Sequence, residues 1–369
     1  MSKFKLLLLA CFFVLIKTSS AQKPFSVIGY YAGPATTLDS FNVNQLTEII
    51  FSFAHLRGNQ LGIMNARDSA TLEAMVKLKE KNPHLKVLIS LGGWGGCAPC
   101  SDVFSFKEDR KTFAESVKAI TEHFHTDGID LDWEYPAIAG FPSHKYKPED
   151  KENFTKLVKI LRRTLGKKKE ISFAAGGFSK YIENSIEWKK VMKKVDRVNL
   201  MSYDLVDGYA TTTGHHTLLY SNSEQQESTD HAVEEMLTLG VPAHKIAIGA
   251  AFYAKVWQDV PDTLNGIYQT GKYKKGVSFK NFDQQLSTDS GFVYHWDSVA
   301  QAPFLYNPQQ KIFATFDDKK SIELKTKYAR EKGLNGIMFW QLHDDSFSDG
   351  LLDAIDKAKK DQETTAVSQ

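Results

Sequence analysis

The sequence predicts an α/β protein, a (β/α)8 TIM barrel with a small α+β insertion between its seventh and eighth strands. Three observations predict it. Short apolar, β-branched runs alternate with longer amphipathic, Lys- and Glu-rich segments, and there are eight such runs. One long aromatic-rich interval interrupts the alternation near its end. A cluster of acids falls at the end of the fourth run, and in a barrel of parallel strands the C-terminal ends are where chemistry is placed.

Each element has a local reason. The runs 26–31, 48–53, 86–91, 128–134, 170–175, 197–203, 245–252 and 336–340 are apolar and short, as buried strands are. Between them, segments 69–81, 107–125, 150–165, 223–239, 319–332 and 349–359 space apolar residues by three and four, the period of a helix with one buried face. Alternating strands and helices imply parallel strands with crossover helices, and eight such units close most simply into a barrel. About sixty residues rich in Tyr, Phe and Gly then separate the seventh strand from the helix at 319, too many for a structureless loop. Runs such as Val277-Ser-Phe-Lys and Phe292-Val-Tyr-His-Trp296-Asp predict the insertion, over about 257–316, as one wall of a groove on the catalytic rim. The polar tail 361–369 is expected to be disordered.

The N-terminus reads as a leader. Lys3 and Lys5 precede the apolar run 6–16, and Ser19-Ser20-Ala21 offers small residues at a cleavage point, the layout of a secretory signal peptide. At about 11 residues the run is too short to span a bilayer. Cys11 follows Leu8-Leu9-Ala10, as a lipid-attachment cysteine would, but apolar Phe12-Phe13-Val14 stand where a polar tether is expected. Residues 1–21 are therefore expected to be removed after Ala21, leaving 22–369 as a secreted or periplasmic catalytic domain. Cleavage takes away three lysines and no acid, so the 46 basic and 44 acidic side chains become 43 and 44 and the formal charge changes from +2 to −1. Neither nucleic acid nor a membrane surface is expected as a partner, and the chain is expected to be a monomer.

The fourth run carries the chemistry. Asp127-Gly-Ile-Asp130-Leu-Asp132-Trp-Glu134-Tyr-Pro sets four acids in an otherwise apolar and aromatic strand. Side chains alternate along a strand, so Asp130, Asp132 and Glu134 share one face while Ile129, Leu131 and Trp133 take the other. Carboxylates so close cannot all stay ionised, and one that keeps its proton near neutral pH is a general acid. Asp127 is off that parity and is expected to be structural.

Two cysteines lie beyond the leader, in Gly92-Gly-Trp-Gly-Gly-Cys97-Ala-Pro-Cys100. In an exported chain a short-loop disulfide is the expectation; a redox role would need a helix N-terminus in a thioredoxin-like unit. The pairs His123, His125 and His215, His216 lack a third ligand at recognisable spacing, so packed or solvated histidine is expected, with no metal or other cofactor.

Together these residues resemble glycoside hydrolase family 18, the chitinases, in particular secreted bacterial chitinases with an α+β insertion. The signature Asp-x-x-Asp-x-Asp-x-Glu is met by Asp127, Asp130, Asp132 and Glu134. Further motifs follow in order: Gly29-Tyr30-Tyr31, Phe51-Ser-Phe53-Ala54, Ser90-Leu-Gly-Gly-Trp94, Met201-Ser-Tyr203-Asp204, Phe252-Tyr253 and Met338-Phe-Trp340. The resemblance covers nearly all of the chain after the leader.

It implies hydrolysis of β-1,4 bonds in chitin or chitooligosaccharides with the substrate supplying the nucleophile. Glu134 would protonate the glycosidic oxygen, and the 2-acetamido carbonyl would attack its own anomeric carbon. Asp132 would hold the acetamido N–H, with Asp130 beneath it sharing a proton, and Tyr203 would orient the acetamido oxygen. Asp204 would contact the sugar or the acid. Trp340 is the natural floor for the reacting sugar, whose C–H face packs on an indole. Tyr30, Trp94, Trp257 and Trp296 are candidates for neighbouring subsites, and Phe53, Met201 and Tyr253 for the groove lining. Two other readings remain open on the sequence, an endo-β-N-acetylglucosaminidase acting on N-glycans and a non-catalytic chitin-binding lectin. Endo or exo action, processivity and biological role are not legible.

Overall fold

The computed structural model of the chain describes residues 25–367; the leader, its cleavage after Ala21 and Cys11 lie outside them. In chain order the strands are β1 (Ser26–Tyr31), β2 (Glu48–Arg57), β3 (Gln60–Gly62), β4 (Lys86–Gly92), β5 (Gly128–Asp132), β6 (Glu170–Gly176), β7 (Arg197–Met201), β8 (Ile246–Ala251), β9 (Tyr253–Gln258), β10 (Lys272–Ser278), β11 (Val293–Asp297), β12 (Ala302–Asn307), β13 (Ile312–Thr315) and β14 (Gly336–Trp340). Strands β1, β2, β4, β5, β6, β7, β8 and β14 pair in parallel in that order, and β14 returns to β1. This closed ring is the predicted barrel.

Alternation decides what lies inside. Outward residues such as Ile89, Ile129, Leu131, Ile171, Val198, Leu200 and Ile248 meet the helices in one continuous core. Inward residues Ile28, Tyr30, Ile50, Leu88, Ala174, Ala247 and Met338 fill the barrel. Among them stand buried polar groups, Glu48, Ser90, Asp130, Glu170, Ser172, Arg197 and Asn199. They account for the polar interruptions in otherwise apolar runs.

The barrel helices are Ala66–Lys77, Lys107–His123, Asp150–Leu165, Thr229–Thr238, Lys319–Glu331 and Leu351–Val367, with the short helices Ser179–Asn184 and Trp188–Val191 between β6 and β7. Caps explain where starts differ from expectation. Asn65 accepts the Asp68 N–H and Ser228 the His231 N–H, so these helices begin at 66 and 229 rather than 69 and 223. Asp318 and Ser321 form a capping box at 319. The tail expected to be disordered is helical through Val367, since no Gly or Pro interrupts it.

The insertion is an antiparallel sheet ordered β10-β9-β13-β12-β11 with a short helix at Phe282–Gln285. Its first strand leaves the barrel only one residue after β8. Ala254 and Val256 join one insertion core, while Trp257 closes a second with Phe304, Tyr306 and Phe313. A wholly buried pair fastens this region to the barrel. Lys325 lies 2.8 Å from Asp317, whose Oδ2 also accepts the Ala251 N–H at 3.0 Å and the Thr217 hydroxyl at 2.8 Å, while Oδ1 accepts the Ser321 hydroxyl at 2.7 Å.

Candidate active site

Register builds the floor of the site. Ser90 on β4 pairs with Asp130 on β5, and Asp130 with Ser172 on β6. Both hydroxyls therefore reach the same carboxylate. Asp130 Oδ2 accepts from Ser90 at 2.8 Å and Tyr30 at 3.0 Å, and Oδ1 accepts from Ser172 at 2.6 Å and Asn199 at 3.2 Å. Burial pushes this carboxyl up, and three of those donors pull against it.

Two residues on, Asp132 has no such support. Its Oδ1 is buried without a hydrogen-bond partner, and burial with the charges of Glu134 and Asp130 pushes its pKa well above the ordinary range. Glu134, just past the end of β5 and 8% exposed, is pushed up to about 8 by burial, with the Tyr135 hydrogen bond opposing and Asp204 adding to the rise. The three carboxyls thus form a graded stack. At the deepest, donors from three other strands oppose the rise, and at the outermost a pKa pushed up to about 8 suits a general acid.

Strand β7 supplies the opposite wall. Arg197, Asn199 and Met201 point inward, and Tyr203 and Asp204 follow directly after the strand. The Tyr203 hydroxyl reaches the Met338 thioether at 3.9 Å, a weak acceptor, so its proton is available to a stronger one. Asp204 has a left-handed backbone, φ 57°. Its Oδ1 accepts from Tyr253 at 2.5 Å and lies 3.2 Å from Lys255 Nζ and 3.4 Å from His216 Nδ1. Burial would raise its pKa, but the His216 contact and the Lys255 charge bring it below the ordinary value. Lys255 and Tyr253 share a face of β9, so the insertion contributes to this wall directly. Sequence reasoning missed Lys255, Ser172 and Asn199, and gave Ser90 only as the start of a motif and His216 only as a packed or solvated histidine.

The aromatic candidates divide. Trp340 is half-buried, with Phe53 stacked parallel at 5.4 Å and Tyr30 at 6.0 Å. Trp94 is 49% exposed on the rim beside Tyr135 and Phe141. Met201 is buried in the barrel core below them. Two candidates are corrected. Tyr30 is 2% exposed and spends its hydroxyl on Asp130, so it supports a carboxylate rather than facing a sugar. Trp257 is wholly buried in the insertion, its indole N–H donated to the Ala210 carbonyl at 3.1 Å. Trp296 carries the Lys320 ammonium over its ring at 3.6 Å.

The loop after β4 is shaped by glycine. A Cβ on Gly92, φ 112°, would stand 2.2 Å from the Asp132 carbonyl oxygen, so only glycine lets the loop cross the catalytic strand there. Cys97 and Cys100 in this loop have Cα atoms 5.3 Å apart, within bridging reach. Asp127 accepts the Val87 N–H at 2.7 Å and pairs with Lys79 at 2.6 Å, tying the start of β5 to its neighbour. His215 and His216 are both buried, each beside an aspartate. Among the described residues no helix is long and apolar enough to cross a membrane.

Known proteins are similar to this chain in sequence and in fold. Chitinase A1 of Niallia circulans is 33% identical over 301 residues, 75% of this chain, which spans 43% of that enzyme's length. Mouse chitotriosidase-1 is 29% identical over 82% of this chain and 68% of its own. A glycoside hydrolase family 18 N-acetylglucosaminidase from Paenibacillus barengoltzii superposes with a TM-score of 0.83 at 34% identity, covering 91% of this chain and all of that one. The family model described as Glycosyl hydrolases family 18 matches residues 26–345. That span runs from the first barrel strand to just past the last and takes in the whole carboxylate stack, so the chain belongs to glycosyl hydrolases family 18.

Proposed function

We propose that the protein is a chitinase that cleaves β-1,4 bonds between N-acetylglucosamine units with retention, using the substrate's 2-acetamido group as nucleophile. The observation that carries this reading is the unpartnered Asp132 oxygen between a fully hydrogen-bonded Asp130 and a Glu134 whose pKa burial pushes up to about 8. An ordinary two-carboxylate glycosidase needs an ionised nucleophile at that place, whereas Asp132 sits where ionisation is most disfavoured until a ligand brings it an N–H.

The steps balance without any other group. Glu134 gives its proton to the glycosidic oxygen as the bond from the anomeric carbon to that oxygen breaks. The acetamido carbonyl oxygen bonds to the same carbon, giving an oxazolinium ion. Asp132 accepts the acetamido N–H and, as positive charge develops, stabilises it with Asp130 beneath. Tyr203 donates to the acetamido oxygen, and Asp204 binds at the same sugar from the side of β7. Water, deprotonated by Glu134, then opens the ring from the face the leaving group left. Trp340 is the floor of this subsite, and Trp94 with Phe141 extends the groove.

Chitotetraose, a high-mannose glycopeptide and cellotetraose, assayed together, test the reading. Cleavage of the first alone supports it. Cleavage of the glycopeptide alone would favour an endo-β-N-acetylglucosaminidase, and binding without cleavage a lectin. The full-length match to the Paenibacillus N-acetylglucosaminidase favours a second reading, in which single N-acetylglucosamine units are released from chain ends. Monomer as the sole early product would select it. The leader residues support export, and export together with the Cys97 and Cys100 spacing supports a disulfide that fixes the rim loop. The protein is proposed to act as a monomer on chitin or chitooligosaccharides.

A further inference from the structure

A line of buried polar groups runs up the inside of the barrel to the carboxylate stack. At its foot, in the mouth of the barrel opposite the catalytic rim, Lys86 on β4 pairs with Glu170 on β6 at 2.6 Å. Glu170 pairs with Arg197 on β7 at 2.7 Å, and Glu48 on β2 takes the rest of that guanidinium through two bonds of 2.6 and 2.5 Å. The remaining Arg197 nitrogen, Nε, donates upward to Asn199 Oδ1 at 2.8 Å. Asn199 passes its own N–H on, to Tyr30 at 3.0 Å and Asp130 at 3.2 Å. Arg197 is 2% exposed, and Asn199, Asp130, Ser90 and Ser172 are fully buried.

The orientation of Asn199 is fixed by chemistry. Arg197 has only donors, so it must face the amide oxygen, and the amide nitrogen must then face Asp130 and Tyr30. We infer that Asn199, oriented by Arg197, is a positioning residue for the reaction, delivering an N–H to Asp130 and so deciding which carboxyl of the stack carries the proton. Added to the donors from Ser90, Ser172 and Tyr30, this N–H favours the ionised form of Asp130 over those of Asp132 and Glu134. Without it a proton moves down to Asp130, and the anion that stabilises the developing positive charge is lost.

The titratable and charged groups facing Asp130 are Tyr30 on β1, Asp132 and Glu134 on its own strand and its continuation, Arg197 on β7, and Tyr203 just after β7. Glu48 and Glu170 face Arg197, and Lys86 faces Glu170. This arrangement gives two isosteric substitutions opposite signs. Asn199→Asp keeps an oxygen for Arg197 but replaces the donor toward Asp130 with an acceptor, so Asp130 takes up a proton more readily. Glu48→Gln keeps the shape around Arg197 but removes a negative charge, so the guanidinium holds Asp130 ionised to lower pH.

The inference rests on the hydrolase reading, and wild type on chitotetraose is the control that separates them: an inactive wild type would refute that reading, not this one. In an active background, the acidic limb of the kcat/KM profile should move up by about one pH unit in Asn199→Asp, a tenfold loss on the acid flank. It should move down in Glu48→Gln, with KM at the optimum little changed in both. Limbs that stay in place, or move the same way in both variants, would overturn the inference and leave Asn199 a packing residue. If Asn199→Asp does not fold, the direction of the Glu48→Gln shift decides alone.

Discussion

Replacing the proposed acid, Glu134, by Gln should make the protein less active and more stable at once, and the gain in stability should depend on pH. Glu134 is 8% exposed and has its pKa moved from the ordinary 4.5 to about 8. The folded state therefore holds this proton more tightly than the unfolded chain does. Below pH 4.5 both states are protonated and the group costs nothing; as pH rises toward 8 the unfolded chain releases the proton and the folded state does not, so stability falls. The full interval corresponds to about 5 kcal/mol, and since Asp132 titrates with Glu134, the Gln variant should recover about 2–5 kcal/mol at pH 8 and close to nothing at pH 4.5. Urea unfolding of both proteins at the two pH values measures this, with turnover on chitotetraose in parallel. Turnover should fall by about 10² to 10⁴-fold. A stability difference that does not change with pH, or a variant keeping more than about a tenth of the wild-type rate, would refute the assignment.

Other consequences follow from the same geometry. Tyr203→Phe should keep the fold and lose kcat by about ten- to a thousandfold with KM little changed, because the hydroxyl meets no strong acceptor until substrate arrives; unchanged kcat would remove it from the reaction. Lys325→Met leaves the Asp317 carboxylate wholly buried and unpaired, and should cost about 3–5 kcal/mol in urea unfolding; a loss below about 1 kcal/mol would show that the pair does not fasten this region. Thiol titration of the denatured, unreduced protein should find no reactive cysteine outside the leader, whereas two would mean that Cys97 and Cys100 are not bridged. The paired Cys97→Ser and Cys100→Ser variant should fold and bind long oligosaccharides less well, since so short a bridge adds little stability.

The barrel was legible because its signals are local. Outward Ile129 and Leu131 against inward Asp130 and Asp132 can be read from alternation within one strand, and the spacing from Asp127 to Glu134 needs no partner. The part that Ser90, Ser172 and Asn199 play as donors to Asp130 was not legible. Ser90, Ser172 and Asn199 come from three other strands and are ordinary polar residues until the parallel register sets them beside one carboxylate. Lys255 and His216 were missed as partners of Asp204 for a related reason. Each lies far along the chain from Asp130, and only the fold of the insertion and of the loop after β7 brings them to Asp204. Tyr30 and Trp257 misled in the opposite direction, because an aromatic near a rim in sequence does not say whether its ring faces the groove or the core.

The measurement that bears most directly on the central claim is the anomeric form of the first product from chitotetraose, followed by proton NMR before mutarotation mixes the anomers. Attack by the acetamido oxygen and then by water on the opposite face inverts the anomeric carbon twice. The β-anomer is therefore expected at early times. Early accumulation of the α-anomer would mean that water attacks directly, and that the carboxylate stack of Asp130, Asp132 and Glu134 does not work as described.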